Sequence, residues 1–281
     1  MKKLEKIKIT RAEALKKVKK DSYSFQDLPD EFKSDREIVI SAVSQSFSSA
    51  FQYLDESFKK DKEVVMIAVK QIGNEDLLSF ADESLKKDKN FLLSLLKENG
   101  FALEYIDNSL KKDKEIVKVA VEKNGTALEF ADKALKNDKE IVNAAVNQNG
   151  YSLEFASDSL KKDKLIVLNA VKNAGFSIQY AHDSLKKDKE VVIAAVSQCE
   201  IYDNGLRSSS GSALKHADVT LTKDKEVVMA AVINDGEALE FADESLKKDK
   251  DIVLAAVKQN ASAIKFADKT IKKEVLNLVK K

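Results

Sequence analysis

Pairs of adjacent lysines recur along the chain and are its most frequent charged motif. A row of ammonium groups could bind the phosphates of a nucleic acid or another polyanion. The same lysines could instead stabilise the carboxyl ends of helices, where cations are favoured. Arginine, the residue best suited to bidentate phosphate recognition, is almost absent, and acids alternate with the lysines, so the sequence favours the helix-end interpretation. The pairs include Lys86-Lys87, Lys111-Lys112, Lys161-Lys162, Lys186-Lys187 and Lys247-Lys248.

A row of aspartates accompanies the lysines and could be imagined as a cation site. Hard cations require about six converging oxygen ligands. Acids that recur once per repeat would stand about 10 Å apart on successive helical layers, so they would not converge. We therefore expect a solvated acidic face, with no metal site and no cofactor. The aspartates are Asp82, Asp107, Asp132, Asp243 and Asp268.

The one cysteine, Cys199, and a nearby histidine, His216, raise the question of a nucleophilic Cys–His pair. Neither an acidic side chain to orient the histidine nor an oxyanion-binding motif is evident around them. The chain also shows no glycine-rich phosphate loop, HExxH zinc motif or pair of catalytic carboxylates. We therefore predict a non-enzymatic protein with no catalytic residue.

Composition points to a helical chain of 281 residues. With 8 Gly, 1 Pro and 1 Cys, it has too few turn residues for a β-sandwich or barrel and too few cysteines for a disulfide scaffold. The longest apolar runs are about six residues, whereas a membrane-spanning helix needs roughly 20, so no span is expected. The N-terminus is basic but lacks the apolar segment of a signal peptide. We expect a cytoplasmic protein, and leaderless export into a host cell stays open.

An internal repeat decides the architecture. The phrase LKKDKE, followed by two apolar residues, returns at intervals of 25 to 27 residues, with one interval of 36. We call the aspartate of this phrase the repeat Asp and number positions from it, so that +1 is the residue that follows. The repeat Asp residues are Asp35, Asp61, Asp88, Asp113, Asp138, Asp163, Asp188, Asp224 and Asp249.

Each repeat contains two helical patterns. After Asp113, the apolar residues Ile116, Val117, Ala120 and Val121 lie at positions +3, +4, +7 and +8, on one face of a helix that we call helix A. Asp113 is a good N-cap, and Asn-Gly ends the pattern. A second stripe that includes an aromatic residue at position −8 and a large apolar residue at −3 predicts a second helix, helix B. One such unit is too small to fold alone, so it must stack on its neighbours. The predicted fold class is therefore all-α, an α-solenoid of about nine two-helix repeats of about 25 residues, with helical caps at both ends.

The predicted organisation has three parts. Residues 1–23 form a basic N-terminal capping helix with nine basic and two acidic side chains in its first 20 residues. Residues 24–271 form the solenoid, which carries an insertion loop at 199–212 in the turn between helix A and helix B. Residues 272–281 form a C-terminal capping helix.

The stretch LKKDKEIVKVAVEKNGTALEFADKALKNDKEIVNAAVNQNG resembles a tandem helical repeat family catalogued as domain of unknown function 4116. The similarity lies in the DKE[IV]V opening, the Asn-Gly turn and the aromatic residue of helix B, and it covers about residues 24–271. The resemblance implies a tandem helical repeat. It carries no activity, cofactor or binding residue over to this chain.

Two features are candidate partner-binding sites. One is a stripe of large apolar residues at position +5 of helix A, which includes Met66, Leu168, Ile193 and Met229 and is interrupted by Lys118 and Asn143. Such a stripe can serve inter-repeat packing or form a groove for a partner helix or peptide. The other is the insertion, with Tyr202 and Arg207, since loops on repeat scaffolds often carry function.

The function predicted from the sequence is a non-enzymatic scaffold that binds a macromolecular partner, a protein of unknown identity, through a solenoid face or the 199–212 loop. Two alternatives stay open: a polyanion or nucleic-acid binder that uses the paired lysines, and a membrane-surface protein held by a basic helix at 3–20. The net negative charge of residues 21–269 disfavours binding of nucleic acid. We expect a monomer.

Overall fold

A computed structural model describes residues 9–45, 49–71, 73–201, 207–209 and 211–279. The chain divides into two compact units, Met1–Ala131 and Asp132–Lys281. In both units the repeats stack one on the next as a helical solenoid, with helix A of one repeat against helix A of its neighbour.

Helix A forms as predicted because the repeat Asp caps it. In the repeat of Asp224, the carboxylate Oδ1 accepts hydrogen bonds from the backbone N–H groups of Glu226 (2.9 Å) and Val227 (3.2 Å). These are two of the N–H groups that a helix start leaves without partners. The A helices are α3 (Arg36–Val43), α5 (Lys62–Val69), α7 (Lys89–Glu98), α8 (Lys114–Lys123), α9 (Lys139–Gln148), α10 (Lys164–Asn173), α12 (Lys189–Val196), α13 (Lys225–Asn234) and α14 (Lys250–Gln259).

Helix B differs from the prediction of one continuous α-helix. The region that we call region B consists of a 3₁₀ segment, such as Gly236–Phe241, an extended residue, and a second short helical piece, such as Leu246–Lys248. At the break, Ala242 adopts φ −71° and ψ 152°, and the next N–H, of Asp243, donates 3.0 Å to the Thr222 carbonyl of the preceding repeat. A bond to the neighbouring repeat therefore replaces the one that would continue the helix.

The 3₁₀ segments are Ser22–Asp27, Ser49–Tyr53, Glu75–Phe80, Gly100–Tyr105, Gly125–Phe130, Gly150–Phe155, Gly175–Tyr180, Gly211–His216, Gly236–Phe241 and Ala261–Phe266. The second pieces are α-helical at α2 (Asp30–Lys33), α4 (Glu56–Lys59), α6 (Glu83–Lys86) and α11 (Asp183–Lys186), and 3₁₀ at Leu110–Lys112, Leu135–Asn137, Leu160–Lys162, Leu221–Lys223 and Leu246–Lys248.

The core of each unit runs between the A helices and region B. The residues at +3, +4, +7 and +8 of helix A are buried, as Val227, Val228, Ala231 and Val232 show in α13. The aromatic residues at position −8 are more exposed than core residues; Phe80, for example, is 44% exposed. The row of aromatic residues in region B therefore borders the core instead of filling it.

The side-chain hydroxyls of two serines in this core lack a hydrogen-bond partner within the described residues. Ser152 and Ser177 are fully buried at a position where Ala102, Ala127 and Ala238 stand in other repeats. In the unfolded chain each hydroxyl is hydrated, so its burial without a partner destabilises the fold. We expect Ser177→Ala to raise the free energy of unfolding by about 1 kcal/mol. Urea denaturation followed by circular dichroism measures this, with Ala238→Ser as the matched reverse change; an unchanged or lower midpoint for Ser177→Ala contradicts the expectation.

Close contact between adjacent repeats explains the glycine that opens region B. A Cβ added at Gly150 would stand 2.3 Å from the backbone carbonyl oxygen of Ala170 in the next A helix. The Gly150 N–H also donates 2.7 Å to Oδ1 of Asn173, whose Nδ2 donates 2.9 Å to the Asn147 carbonyl. The glycine therefore permits the approach, and the asparagine joins the two repeats.

The N-terminal helix is itself a modified helix A. It is α1, Arg11–Lys20, which lies within the basic helix predicted at 3–20, and Thr10 caps it in a capping box with Glu13. Thr10 stands one repeat length before Asp35, and Ala14 and Val18 occupy positions +4 and +8 of the buried face. Polar Glu13 and Lys17 replace the apolar residues at +3 and +7, and both are exposed. The rest of the predicted segment, 1–8, lies outside the described residues.

The C-terminal helix, α15 (Lys269–Val279), begins three residues before the predicted boundary. The Asp268 carboxylate accepts from the backbone N–H of Thr270 at 2.9 Å and caps the helix there. Glu274 stands at the position of the repeat Asp, and α15 continues through it without interruption. The second piece of region B and helix A, which are separate in the other repeats, therefore form one helix here. Residues 280–281 lie outside the described residues.

The insertion contains the only β-strands among the described residues. Strands β1 (Cys199–Ile201) and β2 (Arg207–Ser209) pair antiparallel, with Cys199 opposite Ser209 and Ile201 opposite Arg207. The preceding helix A, α12, ends at Val196. The inserted residues thus begin with a short β-ribbon in place of an irregular loop.

Candidate protein-binding surface

A ladder of ion pairs joins the N-termini of consecutive A helices. The basic residue at +1 contacts the repeat Asp and the acid at +2 of the next repeat; Lys164 Nζ lies 2.8 Å from both Asp188 Oδ2 and Glu190 Oε2. The hydrogen bond from Lys189 lowers the pKa of Asp224; partial burial opposes the shift, and the N–H of Val227 adds to it. The pairs are Arg11–Asp35, Arg36–Asp61, Lys62–Asp88, Lys89–Asp113, Lys139–Asp163, Lys164–Asp188, Lys189–Asp224 and Lys225–Asp249.

Most of the paired lysines are bonded within the chain. The first lysine of a pair bonds inside region B; Lys111 Nζ, for example, donates 2.6 Å to the Glu104 carbonyl, and burial lowers the pKa of this lysine while Glu104 opposes the shift. The second reaches an acid of the next repeat, as in Lys187–Asp218 at 3.7 Å. Both contacts belong to helix ends and repeat stacking, which favours the helix-end interpretation over a polyanion track.

The aspartate row also has structural contacts. Asp243 Oδ1 accepts from the backbone N–H of Ser245 at 3.0 Å and from its hydroxyl at 2.7 Å, and these bonds, the hydroxyl's first, lower the pKa of the carboxyl group. Asp82 accepts the same bond from the Ser84 N–H and is the N-cap of α6. Within the described part of the chain, no three His, Cys, Asp or Glu side chains converge as metal ligands would.

His182 breaks the aspartate row in α11. Its Nδ1 accepts from the Ser184 N–H at 3.2 Å, but it cannot form the ion pair that Asp218 forms with Lys187 one repeat later. We expect His182→Asp to raise the free energy of unfolding by about 1 kcal/mol, because it supplies a stronger cap and a partner for Lys162. Thermal denaturation at neutral pH tests this, and Asp243→His should produce the opposite change. Equal melting temperatures for His182→Asp and the wild type would contradict it.

His216 does not have the surroundings of a catalytic base. Its ring packs edge-on against Phe176 with 6.5 Å between centroids, and burial, followed by Lys215 and Lys186, lowers its pKa. Its contact within the described residues is this aromatic one, while Cys199 lies in β1. The geometry around His216 is that of an aromatic packing residue.

The position +5 residues lie on the outer face of the A helices, where they are half-buried. Leu168, Ile193 and Met229 occupy this position in α10, α12 and α13, which pack side by side, and Leu254 continues the row in α14. The structure thus brings three of the candidate residues into one row. Met66 has the same place in α5, in the other unit.

Sequence reasoning missed one residue of this row. Leu165 stands at +2 of α10, where seven of the other eight repeats have Glu or Asp and one has Asn, and it is 67% exposed. It lies one turn before Leu168 on the same face. Its signal in the sequence is the loss of the acid that Lys139 would otherwise contact beside Asp163. We call Leu165, Leu168, Ile193, Met229 and Leu254 the apolar strip.

Polar side chains border the apolar strip at the N-terminal end of the helices. A shallow depression between α12 and α13 is lined by Lys189, Glu190, Ile193, Ala194 and Glu226. At position +6 stand small residues in three helices, Ala194, Ala230 and Ala255, which leave room beside each large side chain. An apolar row with a charged border is the usual form of a protein-binding surface.

The structure describes the insertion, the other candidate binding site, only in part. Tyr202 lies outside the described residues, and Arg207 begins β2. No helix among the described residues has the length and hydropathy to cross a lipid bilayer.

Comparison with known proteins identifies the repeat. Sequence profiles of the family described as Domain of unknown function (DUF4116) match at residues 14–49, 45–86, 73–111, 88–135, 113–161, 163–204, 206–244 and 224–272. No curated protein and no solved structure matches the chain. The eight tandem matches cover nearly all of the stacked repeats, and the chain therefore belongs to the DUF4116 family of helical repeats.

Proposed function

We propose that the chain is a non-enzymatic scaffold that binds another protein through the apolar strip. The observation that carries this proposal is Leu165: a leucine that is 67% exposed replaces an acid of the ion-pair ladder, beside a row of half-buried apolar residues. Neither stacking nor the ladder requires a leucine there. Contiguous exposed apolar groups with a polar border typically mark an interaction site.

The alternatives have less support. A polyanion track needs free lysines, whereas Lys111 and Lys187 contact groups of their own chain. A membrane-bound N-terminal helix needs an exposed apolar face, but Ala14 and Val18 of α1 are fully buried where α1 packs on α3.

Site-specific photo-crosslinking in the native cells tests the proposal. A photoreactive amino acid at position 193 should give discrete crosslinked protein products, and one at position 154, an exposed glutamate of region B, should not. Leu168→Lys together with Met229→Lys should abolish the products at 193. Because both side chains are half-buried, a melting curve must show that the double variant stays folded.

Equal products at positions 193 and 154 would contradict the proposal, as would products at 193 that persist in the folded double variant. Absence of any product at 193 would contradict it as well. Deletion of 199–212 tests whether the partner binds the strip or the insertion. If it binds the strip, the products at 193 should survive that deletion.

A further inference from the structure

We infer that the apolar strip binds an amphipathic α-helix whose flank is basic, an inference that rests on the proposed function and names the partner's chemistry. The occupant lies across α10, α12, α13 and α14. Its apolar side chains contact the strip, and its lysines or arginines face the N-termini of these four helices.

The spacing of the strip fits a helix. Each of the four A helices contributes one large apolar residue at the same position, and packed helices stand about 8–10 Å apart. An α-helix advances about 10.5 Å in seven residues, so a helix that crosses the four presents one apolar residue to each at seven-residue intervals. The alanines at +6 leave the space that a crossing helix needs between successive contacts.

The spacing is maintained across the insertion. Lys189 Nζ lies 2.8 Å from Asp224 Oδ2 and 2.8 Å from Glu226 Oε2. These distances equal those between Lys164 and its partners one repeat earlier. The inserted residues therefore leave the row of Ile193 and Met229 in register.

Charge selects the flank. At the border of the strip, Lys164, Lys189 and Lys225 each serve two carboxylates, so acids exceed lysines there. The outer carboxylates are Glu190, Glu226 and Asp251, whose side chains are 67%, 70% and 72% exposed. They can accept further hydrogen bonds from an incoming ammonium or guanidinium group. At the opposite border, position +9 carries Lys172, Ser197, Ile233 and Lys258 and no acid, so only one flank of the partner meets carboxylates.

A displayed peptide library tests this assignment. The library holds helical peptides of about 24 residues with leucine at seven-residue intervals and a second apolar residue within each heptad, and with flank positions randomised among Lys, Glu and Gln. Selection on the immobilised full chain should enrich Lys on one flank. A selected Lys-flanked peptide should bind Glu190→Lys/Glu226→Lys about tenfold more weakly, and that variant should select Glu instead.

The matched control is Glu154→Lys/Glu240→Lys, which makes the same charge change on exposed residues of region B and should leave binding unchanged. Equal enrichment of Lys, Glu and Gln would overturn the inference, as would binding that survives Leu168→Lys/Met229→Lys. Failure of every helical peptide to bind would overturn it too. If crosslinks at position 193 still form in that case, the proposed function stands and the partner has another structure.

Discussion

Replacing Gly150 by alanine is expected to lower the free energy of unfolding by about 3 kcal/mol. The new methyl group would stand 2.3 Å from the Ala170 carbonyl oxygen and 2.9 Å from the Ala174 Cβ. Ala170 lies in the packed helix α10 and Ala174 is its C-cap, so the repeats must move apart to accommodate the methyl group. That movement also strains the 2.7 Å bond from the Gly150 N–H to Asn173. Urea denaturation of the purified chain measures the change.

The chain offers its own control for this substitution. Ala261 occupies the position of Gly150 in the repeat of α14, where it is exposed. Ala261→Gly should therefore change stability by less than about 1 kcal/mol, through chain flexibility alone. A similar small effect for Gly150→Ala would show that close contact does not explain the glycine.

Removing the cap of one A helix is the second large effect. Asp224→Ala should lower the free energy of unfolding by about 2 kcal/mol, because it removes two bonds to backbone N–H groups and the contact with Lys189. Asp224→Asn keeps an oxygen that can cap the helix and loses only the ion pair, so it should lower stability by less than about 1 kcal/mol. Equal losses for the two variants would mean that the cap contributes little.

Acid should destabilise the protein through these same carboxylates. The pKa values of Asp113, Asp163 and Asp224 are lowered in the folded state, first by hydrogen bonds from Lys89, Lys139 and Lys189. A depressed folded pKa means that the stabilisation is present above the unfolded value, about 3.9, and is lost as the pH falls through the folded value. The melting temperature should therefore fall below about pH 4, and less steeply in Asp224→Asn. A melting temperature that stays constant down to about pH 2 would contradict the assignment.

Helix A could be predicted from sequence because its determinants are local. The cap, the acid at +2 and four apolar residues on one face all lie within nine residues of the repeat Asp, as in the Asp113 repeat. The start of α1 carried the same signal, a Thr10-to-Glu13 capping box one repeat length before Asp35. Its assignment to a repeat needs only a comparison of spacings.

Region B and the strip could not be predicted in the same way. The apolar spacing in residues 236–248 fits one helix, but the bond from the Asp243 N–H to Thr222 in the preceding repeat fixes the break at Ala242. The strands at 199–201 and 207–209 include polar residues such as Ser208 and Ser209, which have little strand preference. Leu165 becomes conspicuous only when the contacts of Lys139 with the next repeat are known.

The strand pair has a consequence for how such chains can diversify. The hydrogen bond between successive repeats is the same before the insertion and across it: the N–H of His182 lies 3.0 Å from the Lys161 carbonyl oxygen, and that of Asp218, which follows the insertion, lies 3.0 Å from the Lys186 carbonyl oxygen. The turn after an A helix can therefore lengthen without shifting the layers it connects. Foreign segments inserted at this turn should therefore be exposed while the repeats stay packed, so the turn is a site where repeat proteins of this kind can vary in sequence and length.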